Sequence, residues 1–452
     1  MENGISGKIA GAFIKSKLSI LLMFAFMLLG LFSIYFIPRE EEPQIEVPMA
    51  DIMIGYPGAT PQEVESGVIQ PIEKIISNIK GVEHVYSTSM NGMGMLTVQF
   101  FVGEDVERSL VKLYNEMMKN MDRMPQGATM PLVKSRAIDD VPALAFTLWS
   151  DKMGDYQIRQ VAEVVGNEIK KIPDVAQVNV VGGQSRQVKV MLDKDKMAQS
   201  KLDFGAITQT LQANNAQMQS GNIVTGDMVY SVQTGNFFTN VEEVKNLIVG
   251  TNDNQPVYLY QITEVEDGPE VPKQYVSFGY GAASGDKKAD MPDDYSAVTI
   301  SIAKKKGADA MKLAEVVINK VEHLKKDVIT NDIHVDVTRN YGETASHKVS
   351  ELLFHLSIAI VVVTLFVMLA MDWRGGLVVF LSVPVTFALT LFAYYFLGYT
   401  LNRITLFALV FVTGIVVDDS IVIAENMHRH FKMKKLPPLQ AALYAINEVG
   451  NP

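Results

Sequence analysis

Four apolar runs set the first limit on this chain: Leu18 to Ile37, Leu352 to Met371, Leu377 to Leu397 and Ile404 to Ile423. Each matches the roughly 20 residues that a helix needs to cross a bilayer, so much of the fold is dictated by lipid rather than by water. The first run is long for the apolar part of a signal peptide. It is followed by PREEEP rather than by a small-residue cleavage site, and reads as a retained anchor. Lys8, Lys15 and Lys17 precede it, Arg374 lies in the DWRGG link, and Arg429, Lys432, Lys434 and Lys435 follow the fourth run. Basic residues stay on the cytoplasmic side. Both ends are therefore expected inside, and the segment from Pro38 to about Ser350 outside, in the periplasm of a two-membrane bacterium.

Composition narrows the function classes. The net charge of -10, with no basic stripe to offset it, argues against nucleic acid. Cysteine is absent, which removes disulfides, thiolate metal sites and a Cys nucleophile. The 24 Met are scattered singly, as packing residues are, so no metal is expected. There is no Ser-His-Asp order, HExxH or phosphate loop, and GAASG and VVGGQS are too short to count as nucleotide motifs. Asp139-Asp140 before VPALAF reads as a solvated loop. No enzyme activity and no cofactor are expected.

The long segment outside the membrane alternates strand and helix. IEVPMADIMIGYPGA leads into TPQEVESGVIQPIEKII, where Thr60, Pro61 and Glu63 form a capping box with proline at the first helical position. A hairpin around Asn91-Gly92 and a helix capped by Asp105 follow. The order recurs as ALAFTLWS, a helix behind Asp155, AQVNVVGG, AVTISIA, a helix behind Asp309, and HVDVTRN. This rhythm predicts split βαβ, ferredoxin-like subdomains. Residues 184–272 break it and read as an insert carrying a polar hairpin with Gly221, Gly226 and Gly235. Residues 273–296 read as a strand and an exposed loop.

Within the fourth run, GIVVDDSIVIAEN holds Asp418 and Asp419, the only acidic residues in the four runs. An ionised group at a helix centre in a bilayer costs about 2.5–3.5 kcal/mol on insertion scales, and intramembrane carboxylates are functional by default. Neighbouring helical residues point about 100° apart, so both can face one bundle interior. Carboxylates desolvated together bind protons more readily, which makes the pair candidate proton carriers. The alternative role is a helix-end cap, but IVIA continues the apolar run beyond them. His355, near the outer end of its run, reads as an interfacial residue.

The DD pair, PREEEPQIEVP after the first run, YPGATPQEVE and the layout of spans together resemble the resistance-nodulation-division efflux transporters, of the hydrophobe/amphiphile, acriflavine-resistance type. The resemblance covers the whole chain. It implies an α+β membrane protein whose four transmembrane helices are half of a twelve-span bundle, with porter subdomains outside the membrane. On that template residues 1–37 are the N-terminus and first span. The porter subdomains are 38–134 and 135–183 with 273–340, and the docking insert is 184–272. The remaining spans are 352–371, 377–397 and 404–423, and 424–452 is a cytoplasmic amphipathic segment. The resemblance also implies proton-driven export of small hydrophobic compounds, with Asp418 and Asp419 as proton-binding residues. The partners it implies are two further copies in a homotrimer, a periplasmic adaptor, an outer-membrane channel and the lipid bilayer, with no nucleic acid.

Three features depart from the family pattern. The chain stops at Pro452, before a fifth span, so the basic partner of the aspartates in the second half is missing and the chain reads as a half-transporter. The docking hairpin is short. VNVV (178–181) is aliphatic and polar where drug-pump members carry aromatic residues. Heavy-metal members usually hold one aspartate at the pair, which disfavours metal export. The nearest competing readings are a SecDF-like export accessory, which shares the Gly414-to-Asp418 spacing, and a membrane-anchored scaffold without transport.

Overall fold

The structure, a computed structural model, describes residues 4–14, 16–41, 43, 47–137, 140–252, 254–284 and 294–450. Lys15, Glu42, Asp139, the start of the IEVP strand and residues 285–293 of the exposed loop lie outside the described residues.

Four helices are long and apolar enough to cross a membrane: Leu18–Phe36, Tyr341–Ala370, Trp373–Leu397 and Arg403–Met433. The second and fourth have 30 and 31 residues and overrun their apolar runs, because backbone hydrogen bonding continues where polarity rises. Asn340 and Asn402 cap their starts by accepting from backbone N–H groups of the first turn. Small residues set the approach of the helices. A Cβ on Gly30 of the first would lie 2.4 Å from that of Ala388 on the third, and one on Gly376 would meet Met368 of the second. Val379, Val383, Phe387 and Leu391 of the third helix form the centre of the apolar contact.

Outside this bundle lie two sheets of one topology. In the first, strands Met49–Gly55, Val82–Met90, Met93–Phe100 and Leu132–Arg136 are ordered second, third, first, fourth, all antiparallel. The Thr60 capping box is present and Asp105 caps Val106–Lys119. Ile52, Ile54, Leu96, Val98 and Phe100 alternate onto the face covered by these helices. In the second, Leu144–Ser150, Val175–Val181, Tyr295–Lys304 and His334–Asn340 take the same order, with helices Asp155–Ile169 and Ala310–Asp327 over the core. Two such crossovers per sheet make a split βαβ plait.

One cap differs from the sequence reading. Asp309 caps its helix, but Asp155 does not: Gly154 takes the extended cap conformation and Asp155 is already the first helical residue. The glycine occupies the turn that an Asn, Asp or Ser one position earlier would have claimed.

Between the second and third strands of the second sheet the chain makes an excursion over residues 182–294, and of its described residues only the short strand Ser277–Phe278 pairs with the sheet. Strands Arg186–Leu192 and Thr263–Pro269 pair as its stem, held by Arg186 and Asp267, whose side chains meet through two hydrogen bonds of 2.8 and 2.6 Å. Beyond the stem lies a small core of its own around Ile207, Val249, Leu259 and Ile262. From it projects the hairpin Met218–Thr225 and Met228–Thr234, whose residues are nearly all exposed. Gly226 at its tip has φ +63, which glycine adopts without strain.

Candidate functional site

The site is built on the fourth apolar helix. Between it and the second helix runs a groove of about 660 Å³, walled by Val362, Phe366, Val367 and Val417. Asp418 lines it, one turn beyond Gly414, where a Cβ would meet nothing within 4 Å. Asp419 does not line it. A step of about 100° turns its side chain off the groove, and both carboxylates are exposed on this four-helix unit. The helices therefore do not enclose the pair together, as the sequence reading allowed. Val417 and Ala424 take the buried side, and the aspartates follow on the open side. Among the described residues neither carboxylate makes an ion pair or a hydrogen bond. Ser420, one step further round, bonds Ser382 of the third helix at 2.9 Å and fixes the rotation of the fourth helix against the third.

Glu425 also lines the groove, seven residues and about two turns from Asp418. It lies just past the apolar window that ends at Ile423, and so escaped a reading confined to that window. The signal was present as heptad spacing. His355 sits in the half of the second helix nearer the sheets, exposed and 3.9 Å from Glu351.

A second constellation joins the helices to the second sheet, and the sequence reading missed it. Glu40, of PREEEP, is 2% exposed and pairs with Lys304, the last residue of a central strand, at 2.9 Å. The Glu40 N–H donates to the Leu401 carbonyl, and the Leu401 N–H to that of Pro38. This stitches the segment to the link before the fourth helix. The Arg39 N–H donates to Asp309, and the Arg39 carbonyl accepts from Ala310, at the start of a sheet-covering helix. Strand His334–Asn340 runs directly into the second apolar helix, where a Cβ on Gly342 would lie 2.5 Å from the Ala310 carbonyl oxygen. PREEEP is thus a joint between sheet and bundle.

At the opposite end of the bundle, helix Pro438–Val449 packs against the end of the fourth helix. Glu448 accepts from Arg429 at 2.8 Å, lies 2.8 Å from His430 Nε2 and is reached by Asn426 at 3.2 Å. The hydrogen bond with His430, then those from Asn426 and Arg429, hold the Glu448 carboxyl down at about 2. Asn447 accepts from the Gly4 N–H at 2.8 Å and ties in the N-terminal helix Ile5–Phe13.

The sequence profile of the AcrB/AcrD/AcrF family matches residues 9–452. Multidrug resistance protein MdtC of Yersinia enterocolitica is 26% identical over 433 residues, which cover 95% of this chain and 41% of that protein. MdtC of Pectobacterium atrosepticum is 25% identical over 435 residues, 96% of this chain and 41% of its own length. The chain spans less than half the length of these curated relatives. A match across nearly every residue, over four helices of membrane-spanning length and a split βαβ exterior, fixes the kinship: the chain belongs to the AcrB/AcrD/AcrF family of efflux transporters.

Proposed function

We propose that this chain supplies the proton-coupling half of an inner-membrane antiporter that exports small hydrophobic or amphiphilic compounds. The observation that carries the reading is the adjacent pair Asp418 and Asp419, exposed on a helix apolar enough to span a membrane, with Asp418 on an otherwise largely apolar groove. An ionised carboxylate facing lipid or an apolar neighbour costs several kcal/mol, and protonation removes that cost. Proton binding therefore changes which surface the fourth helix can be packed against. The joint at Glu40, Lys304 and Leu401 and the unbroken passage from strand to helix at Asn340 offer that movement a stiff route to the second sheet.

In this reading residues 38–134 and 135–183 with 273–340 are periplasmic porter subdomains, and 184–272 docks onto a neighbouring copy in a homotrimer. A periplasmic adaptor and an outer-membrane channel complete the export path. The exposed hairpin, with Ile223, Val224, Val229 and Tyr230 uncovered, supports the docking role. The multidrug naming of the MdtC relatives supports the substrate class.

The test is export from vesicles with an imposed pH gradient, using a complete transporter that contains this half. Asp418→Asn and Asp419→Asn each keep the side-chain shape and remove the charge. Each should lower export a hundredfold or more at matched protein level. A helix-end cap would tolerate Asn, which caps about as well as Asp. Near-normal export by both variants would overturn the relay.

A further inference from the structure

We propose that a groove at the inner end of the bundle binds the phosphate of an anionic phospholipid. It lies between the link joining the second and third apolar helices and the last turns of the fourth, with a volume of about 380 Å³. Arg374, His428, Lys432 and Lys434 are among the residues that line it. Among the described residues none of the four is paired with a carboxylate. Asp372 also lines the groove, and its carboxylate accepts from the Trp373 N–H at 2.7 Å. Three permanent positive charges thus face one negative charge.

The contrast with the neighbouring face of the same helix end gives this meaning. There Arg429 and His430 are engaged by Glu448. The chain supplies an internal anion to one basic pair and leaves the other basic set uncovered around a cavity. The rest of the groove is apolar, with Met371, Val378 and Phe431 as walls. Trp373, 57% exposed beside it, is the residue type that sits at headgroup level. A free phosphate would use the cations and leave those walls wet. A phospholipid uses both, with its phosphodiester at the basic rim and its acyl chains along Val378 and Phe431. Basic pockets between helices on the cytoplasmic side recognise anionic headgroups by this chemistry. The inference needs the four helices to cross a bilayer and does not need the chain to transport anything.

Native mass spectrometry of the purified full chain in detergent, titrated with dioleoylphosphatidylglycerol, tests it, with dioleoylphosphatidylcholine as the zwitterionic reference. One phosphatidylglycerol should be retained per chain and phosphatidylcholine released. R374Q/K432Q should weaken retention about 25-fold, a factor of about five for each basic contact. K8Q/K17Q removes the same charge at the start of the first helix and should leave retention unchanged. Lys432→Arg should keep it, and Lys434→Gln alone should lower it about fivefold, a second reading should the paired variant misfold. Millimolar inorganic phosphate should not displace the lipid. Equal retention of both lipids, an equal loss in K8Q/K17Q, or displacement by phosphate would each overturn the proposal.

Discussion

The two sheets beyond the helix bundle share the order of their four main strands but not a role. In the first, the second and third strands close through the two-residue turn Asn91-Gly92, and between Met49 and Arg136 the chain forms only this sheet and the helices that cover it. In the second, the same connection opens to admit a separate domain, while the strands ending at Lys304 and Asn340 fasten one end of the sheet to the helix bundle. One plait is a closed unit; the other is a hub between bundle and insert. Topology alone does not assign a role, since both have the same one. The connections do.

The sharpest way to break this contrast is to cut the joint. Glu40→Ala removes the buried carboxylate from its ion pair with Lys304, whose side chain is 12% exposed. Removing one member of a buried pair costs about 3–5 kcal/mol. The expected result is loss of thermal stability together with new protease cleavage near residues 304–310, read on the purified protein. Lys112→Ala in the first sheet unit removes a pair whose partners are both about a third exposed, and should cost at most about 1 kcal/mol. Equal losses would show that the second unit is no more tied than the first.

The next test compares turns. Gly92, at φ +72, closes the first hairpin, and Gly226, at φ +63, tips the insert hairpin. Alanine at either position is strained and should cost about 1 kcal/mol locally. For Gly92→Ala that cost should appear in hydrogen exchange across strands 82–100. For Gly226→Ala it should stop at the hairpin and leave protection of strands 144–150 and 295–304 unchanged, because the insert has its own core.

The smallest expected effect lies at the end of the bundle remote from the sheets. The folded Glu448 carboxyl, held at about 2 from an ordinary 4.5, adds stability above its unfolded value. That contribution is lost as pH falls through the window from about 4.5 to about 2. Protection of helix 438–449 in wild type should therefore exceed that in Glu448→Gln at neutral pH, and the difference should vanish near pH 2. A constant difference would mean that the clamp acts by packing and not by charge.

Much of this was legible in order along the chain. The four apolar runs, the Thr60 box, the Asp105 and Asp309 caps and the Asn91-Gly92 turn are local signals, each decided by residues within a few positions of one another. Asp155 misled because Gly154, also a good cap, stood one residue earlier. The aspartate pair was visible as charge within an apolar run, but which carboxylate lines the groove was not. That depends on the rotation of the fourth helix, which Ser420 and Ser382 fix from two different spans.

Sequence by itself determined the membrane helices, the alternation of strand and helix, and the carboxylates that a bilayer makes costly, because hydrophobic length, periodicity and charge are properties of contiguous residues. Only the tertiary structure decided that Glu40 meets Lys304 across 264 positions, that Glu425 shares a groove with Asp418, and that one basic set at the far end of the fourth helix is engaged by Glu448 while the other lines a groove. Such pairings depend on which distant surfaces the packed helices bring within a few ångströms, and no local pattern in the chain encodes that distance.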